Sequence, residues 1–254
     1  MKLSKWLHMV FLSGLVLVAA SARADDTDLF NQPPGAAMPA PNILFILDNS
    51  ANWSANNQAW GTNGENVKQG DAELAALTTF ANSITKRANI GLMMFTGSRN
   101  KGGYVRYGIR PMAPTATATS AEAANKTAFT NILAGSSVND DSASTNSRVI
   151  PNAYYETWQY LKGATSWADM DRKADYAGNT GYTPAGQSLT TGFAYQGSVT
   201  GASYNSPLGV DCAKTYIIYI HNNKTDLTAP SPADPSAPPP NGYTSQPDLQ
   251  SAWA

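Results

Sequence analysis

The fold class is indicated most clearly by residues 41–52, which read Pro41-Asn42-Ile43-Leu44-Phe45-Ile46-Leu47-Asp48-Asn49-Ser50-Ala51-Asn52. The mostly apolar run of this stretch, Asn42–Leu47, is followed at once by a cluster of polar residues. A short apolar run of this kind is typical of a strand that is buried on both faces of a parallel sheet. Ligands of open α/β sheets bind at the carboxyl ends of the strands. The stretch therefore predicts an α/β fold and a candidate site at Asp48–Asn52.

Further strands and helices are predicted by apolar runs and by helical periodicity. Strands are expected at Ile90–Phe95, Tyr104–Met112 and Thr215–Ile220. Helices are expected at Asp71–Arg87, Ala121–Leu133 and Asn152–Leu161, with a weaker helical candidate at Thr183–Tyr195. This alternation predicts a doubly wound, mostly parallel, Rossmann-like sheet.

Local patterns add detail to this fold. Tyr104–Met112 alternates in polarity, which predicts an edge strand with one wet face that forms a hairpin with Ile90–Phe95. Asp71 is expected to cap its helix. The aromatic stripe of Asn152–Leu161 is expected to pack in the core, and Gly197–Pro207 is expected to be a surface loop.

The two ends predict an exported protein. Residues 1–24 have a basic start, an apolar core at Met9–Ala20 and a small-residue cleavage site, as signal peptides do. Residues 25–41 are expected to be an extended leader, and we expect no membrane span after cleavage. Residues 229–254 begin with six prolines in twelve positions and predict a linker or disordered tail. The folded domain is thus expected over residues 42–228.

Composition argues against several functions. The chain has 17 basic and 18 acidic side chains, and three of the basic ones lie in the signal, which leaves a net charge of −4. This balance argues against nucleic acid as a partner. Cys212 and, after processing, His221 are single residues of their types, so zinc clusters and Cys–His catalysis lack ligands or partners. A lone cysteine in an exported chain predicts either an inert buried thiol or a partner outside this sequence.

The cluster Asp48-x-Ser50-x-Asn52 resembles the D-x-S-x-S motif of von Willebrand factor A domains. In that family the motif forms a metal-ion-dependent adhesion site, completed by a Thr from a second loop and an Asp from a third. The resemblance implies Mg²⁺ or Ca²⁺ as the cation, since hard cations prefer oxygen ligands. Thr183 is the expected second-loop residue, and Thr145 or Ser147 is the alternative.

The third loop departs from the family. It follows Thr215–Ile220, and Asn222 stands where the family has Asp. Asp48 is then the one carboxylate among the expected ligands Asp48, Ser50, Asn52, Thr183 and Asn222. Fewer charges weaken cation binding. In the alternative interpretation, Asp48, Ser50 and Asn52 bind no metal and hydrogen-bond the loop backbone.

Within this superfamily the chain is most similar to the PilY family of type IV pilus tip proteins. The similarity is carried by Asp25–Asp28, Pro41–Asn52, Gly102–Tyr107 and Cys212–Ile218, in that order. It implies an adhesion and pilus-biogenesis protein of the periplasm, cell surface or pilus tip. Pilus components and a surface protein or glycan are the implied partners. It also implies further strands after Asn223, so that the domain is expected to be incomplete at its C-terminus and the chain a fragment or incomplete gene product.

The sequence leaves two other functions to consider. One is a structural pilus-assembly module that binds neither metal nor ligand. The other is a sulfatase-like metallohydrolase, whose first strand is similar to Pro41–Asp48. A sulfatase needs a second Asp where Asn49 stands, together with a nucleophile motif that the sequence lacks. We therefore expect no enzymatic activity.

Overall fold

Four strands form one sheet in the order β3-β2-β1-β4. The computed structural model describes residues 39–55, 67–96, 102–139, 150–168, 173–175, 194–196, 202–209 and 213–221. The strands are β1 (Asn42–Leu47), β2 (Ala88–Phe95), β3 (Gly103–Met112) and β4 (Thr215–Ile220). β1 runs parallel to both β2 and β4, whereas β2 and β3 are antiparallel with an irregular register. The predicted mostly parallel sheet and its β2–β3 hairpin pairing are confirmed.

Helices cover both faces of the sheet, as a doubly wound fold requires. They are α1 (Gln69–Ser83), α2 (Ser120–Gly135) and α3 (Ile150–Lys162). On one face, Phe45 of β1 meets Phe80 of α1 edge to face. On the other face, Tyr154 of α3 packs against Tyr219 of β4. The predicted α/β class is therefore confirmed.

The first helix begins differently from the prediction. α1 begins at Gln69, and the preceding residue, Lys68, gives no side-chain cap. Asp71 lies in the first turn, where its charge is favourable near the positive end of the helix dipole. The predicted cap at Asp71 is therefore wrong. α2 has the cap that α1 lacks, because Thr119 and Glu122 form a reciprocal capping box.

Two predictions about exposure are wrong. β3 lies at one end of the strand order, but both of its faces are almost entirely buried, with Pro111 exposed. Residues 202–204, which were expected in a surface loop, include the buried Tyr204. Tyr204 pairs in an isolated bridge with Tyr195, which therefore does not end a helix.

β4 is less buried than its apolar sequence predicts. Its side chains alternate between partly buried and exposed, and Tyr216 and Ile218 are 49% and 41% exposed. Within the described residues β4 pairs with β1 alone. In α3, Tyr154 and Leu161 pack against the core, while Tyr155 and Trp158 stack on each other.

Several expectations lie outside the described residues. These are the signal, most of the leader, the proline-rich tail, Cys212 and residues 183–193 of the weaker helical candidate. No helix in the described ranges is long and apolar enough to cross a membrane.

Candidate functional site

The candidate site lies where β1 leaves the sheet between its two parallel neighbours. Asp48, Asn49 and Ser50 follow the last strand residue and are 4%, 2% and 7% exposed. The backbone N–H of Asp48 donates to the carbonyl of Ile220 at 2.9 Å, which extends the β1–β4 ladder by one bond. Because β1 is central, the polar cluster sits at the carboxyl edge between β2 and β4. This is the place in the sheet that the sequence predicted.

The Asp48 carboxylate spans the seam between β1 and β4. Its Oδ1 accepts a hydrogen bond from the backbone N–H of Ser50 at 3.1 Å, which closes a turn on its own chain. Its Oδ2 accepts from the hydroxyl of Tyr219 at 3.4 Å. The ring of His221 stacks on the ring of Tyr219 at 5.5 Å. The carboxylate is thus held by a loop on one side and by β4 on the other.

Asn49 performs a structural task in the same turn. Its side-chain Oδ1 accepts from the backbone N–H of Phe95 at 2.9 Å, at the end of β2. At the end of the β1–β2 ladder, the side-chain oxygen of Asn49 therefore accepts from Phe95 in place of a backbone carbonyl. This contact fixes the direction in which the chain leaves β1.

Ser50 directly precedes a 3₁₀ helix of one turn, Ala51–Ser54. Its carbonyl accepts from the backbone N–H of Trp53 at 2.7 Å. The backbone of Asn52 lies within this turn. Thr183 and Asn222 lie outside the described residues, as do the alternatives Thr145 and Ser147. The structure therefore brings together Asp48 and Ser50 from the expected ligand set.

Glu73 of α1 is a second acid near this loop that the sequence analysis missed. Its Oε2 accepts from the indole N–H of Trp53 at 2.8 Å, and its Oε1 accepts from the side-chain amide of Gln69 at 2.7 Å. The pKa of Glu73 is raised, mainly because the carboxyl group is buried. The hydrogen bonds from Gln69 and Trp53 oppose this rise, the charge of Asp48 adds to it and His221 opposes it. Glu73 is thus within electrostatic range of the carboxylate of Asp48.

The donor set fits a weak site for a hard cation. The carboxylate of Asp48 and the hydroxyl of Ser50 are oxygen ligands of the kind that Mg²⁺ and Ca²⁺ take. Both oxygens of Asp48 already accept hydrogen bonds, from the backbone N–H of Ser50 and from the hydroxyl of Tyr219, although a carboxylate has further acceptor positions. In the part of the chain that the structure describes, no three His, Cys, Asp or Glu side chains form a group that could hold a metal.

Buried polar side chains also line the outer edge of β3. Three backbone N–H groups of β3 donate to side chains that come from elsewhere in the chain: Val105 to the hydroxyl of Tyr195, Gly108 to Asp175 and Ile109 to the hydroxyl of Tyr160. Asp175 also pairs with Arg110. Burial raises the pKa of Asp175, and the neighbouring Arg110 opposes that rise. These contacts satisfy a strand edge, so they explain the burial of β3.

Comparison with known proteins adds no assignment. No family model, no curated protein and no solved structure matches this chain.

Proposed function

We propose that this chain is an exported binding module of von Willebrand factor A type that serves type IV pilus adhesion and biogenesis. The observation that carries the proposal is the position of the Asp48–Ser50 turn. It lies at the carboxyl end of the central strand, where the chain continues to β2 on one side and β4 lies on the other. Such a change of strand order is the usual ligand-binding position of open α/β sheets.

The residues of this chain have separate tasks in the proposed site. Asp48 supplies the charge, and Ser50 supplies a hydroxyl oxygen from the next turn. Asn49 and Tyr219 hold the turn against β2 and β4. Asn52, Thr183 and Asn222 are the remaining proposed ligands, all of them neutral. A bound Mg²⁺ or Ca²⁺ would supply a positive centre for a carboxylate of a surface protein, or for a glycan or pilus component.

The second candidate is a structural pilus-assembly module without a metal. A specific observation favours it: Asp48 and Ser50 are almost fully buried, and the polar atoms of Asp48 bond within the loop and to β4. Such a turn is complete without a cation. The two candidates share the fold and the pilus, and they differ in whether the site binds an ion.

Calorimetry with Mg²⁺, Mn²⁺ and Ca²⁺ on the mature chain separates them. Asp48→Asn removes the charge and keeps an acceptor for the N–H of Ser50, so it tests charge with little change in the turn. Asp71→Asn removes one acidic charge from the exposed first turn of α1 and serves as the matched control. We expect saturable heat that Asp48→Asn abolishes and Asp71→Asn preserves. No heat at millimolar ion would contradict the adhesion site and favour the structural module.

Complementation tests the pilus assignment. We expect that deletion of the gene reduces surface pili and adherence in the bacterium that encodes it. Under the adhesion proposal, the Asp48→Asn variant restores pili without restoring adherence. Unchanged pili and adherence in the deletion strain would contradict both candidates.

A further inference from the structure

Trp53 is the side chain that joins the candidate site loop to helix α1. It is fully buried although it belongs to the single 3₁₀ turn after β1. Its backbone N–H donates to the carbonyl of Ser50, and its indole N–H donates to Glu73 at 2.8 Å. The same residue therefore touches the site turn through its backbone and α1 through its side chain.

The backbone of α1 is shaped to receive this ring. A Cβ atom at Gly70 would lie 2.6 Å from the Cδ2 and Cε2 atoms of Trp53, so the indole packs directly on the helix backbone. The backbone N–H of Gln69 also donates to the carbonyl of Ala55 at 3.1 Å, just after the turn. The turn is thus fixed to α1 at both Trp53 and Ala55.

Glu73 lies where it can hold the indole in one orientation. Its two oxygens accept from two different donors, the indole of Trp53 and the amide of Gln69. Gln69 is itself 3% exposed, so neither donor is in open solvent. With both oxygens engaged, the side chain of Glu73 is fixed between Trp53 and Gln69. The geometry therefore gives Glu73 a single orientation, directed at the ring that carries the loop.

We infer that Trp53 and Glu73 form a latch that positions the Asp48–Ser50 turn for cation binding, with Glu73 acting through Trp53. The inference deepens the proposed function and rests on it for the cation. Glu73 is a positioning residue in this account and does not ligate the ion. Partners that orient metal ligands in this way are typically worth about 10- to 100-fold in metal affinity.

Three variants separate the hydrogen bond from the charge. Trp53→Phe removes the indole donor. Glu73→Leu removes the acceptor and the charge together. Glu73→Gln removes the charge and keeps an acceptor for the indole, because the amide of Gln69 can turn to accept from the new amide group. Asp71→Asn is the control for loss of one acidic charge on the same helix.

The test measures amide hydrogen exchange in the metal-free mature chain and then ion affinity by calorimetry. We expect Trp53→Phe and Glu73→Leu to speed exchange at the amides of residues 50 and 53 by at least about tenfold, with β1 and β2 unchanged. The same two variants should weaken ion binding by about 10- to 100-fold. Glu73→Gln should stay within about threefold of the parent in both measurements, since the acceptor is retained.

Each outcome decides the inference. Unchanged exchange at residues 50 and 53 in Glu73→Leu would overturn the latch. Equal damage from Glu73→Gln and Glu73→Leu would also overturn it, because the charge would then be the active property. The expected exchange pattern in a chain that binds no ion would support the latch and contradict the proposed function. Should Trp53→Phe fail to fold, the Glu73→Leu and Glu73→Gln pair still gives the result.

Discussion

Gly70 offers a direct test of how tightly the site turn is packed on α1. A Cβ at this position would lie 2.5 Å from Val138 Cγ1 and 2.6 Å from two ring atoms of Trp53. Contacts this short require both neighbours to shift, and overpacking of a buried site costs about 1–3 kcal/mol. In an open helical position the same Gly→Ala change stabilises by roughly 0.5–1 kcal/mol. The two effects oppose each other, and the steric one is the larger.

We therefore expect Gly70→Ala to lower the free energy of unfolding by about 0.5–2 kcal/mol, the difference between overpacking and helix propensity. Urea unfolding followed by circular dichroism measures this value. Ala76→Gly, at an exposed position of the same helix, is the matched control and should cost about 0.5–1 kcal/mol through propensity alone. A Gly70→Ala chain as stable as the parent, or more stable, would refute the packing of Trp53 on the backbone of α1.

Three further predictions concern the rest of the fold. Glu156 is fully buried and accepts hydrogen bonds from the backbone N–H groups of Trp167 and Ala168 and from the hydroxyl of Tyr204. Glu156→Ala leaves these donors without their acceptor and should lower the free energy of unfolding by about 1–3 kcal/mol for each. Glu156→Gln keeps an acceptor and should lower it clearly less, as measured by urea unfolding. The hydrogen bond from Arg87 holds the pKa of Glu122 at about 2, below its ordinary 4.5. Because this folded-state pKa is lowered, its stabilising contribution is present above about pH 4.5 and is lost as the pH falls towards 2, so the gap in melting temperature between Glu122→Gln and the parent should close over that range. Ile218→Thr should change the free energy of unfolding by under about 0.5 kcal/mol, because the side chain is 41% exposed. A loss of stability as large as that of a core substitution would show that the side chain is covered.

The central part of the sheet could be predicted because its signal is local. β1 and β4 have the predicted bounds, and both are short apolar runs bounded by polar residues. β2 and β3 begin two residues and one residue before the predicted positions. An apolar run identifies a strand, but it does not tell how much of each face other elements cover. For that reason the exposure of Tyr216 and Ile218 was not foreseen.

The errors at β3 have one physical cause. Its alternation of polar and apolar residues predicted a wet face, yet Arg106 and Arg110 are buried. The side chain of Arg106 donates to the carbonyl of Lys173, and Arg110 pairs with Asp175. These partners lie more than sixty positions away in the chain. A local sequence pattern does not show such distant partners, so it cannot distinguish a buried charged residue from an exposed one.

The candidate site also has one part that local sequence predicts and another part that depends on residues far away in the chain. Asp48 and Ser50 could be predicted because an abrupt change from apolar to polar residues marks the end of β1. Glu73 could not be predicted, because its role depends on a hydrogen bond from the indole of Trp53. Trp53 lies twenty positions earlier in the chain, in an irregular turn. Gln69 and Glu73 are four residues apart on α1, and this spacing was the one available signal of a shared polar face.

Paramagnetic broadening by Mn²⁺ locates a bound ion in the chain as well as detecting it, so it shows whether a cation binds at Asp48. We expect substoichiometric Mn²⁺ to broaden the amide signals of residues 48–53 and 220–221 first. Asp48→Asn should abolish this selectivity, and Asp71→Asn should preserve it. Broadening that is absent at residues 48–53, or that persists there in Asp48→Asn, would contradict a cation site built on Asp48.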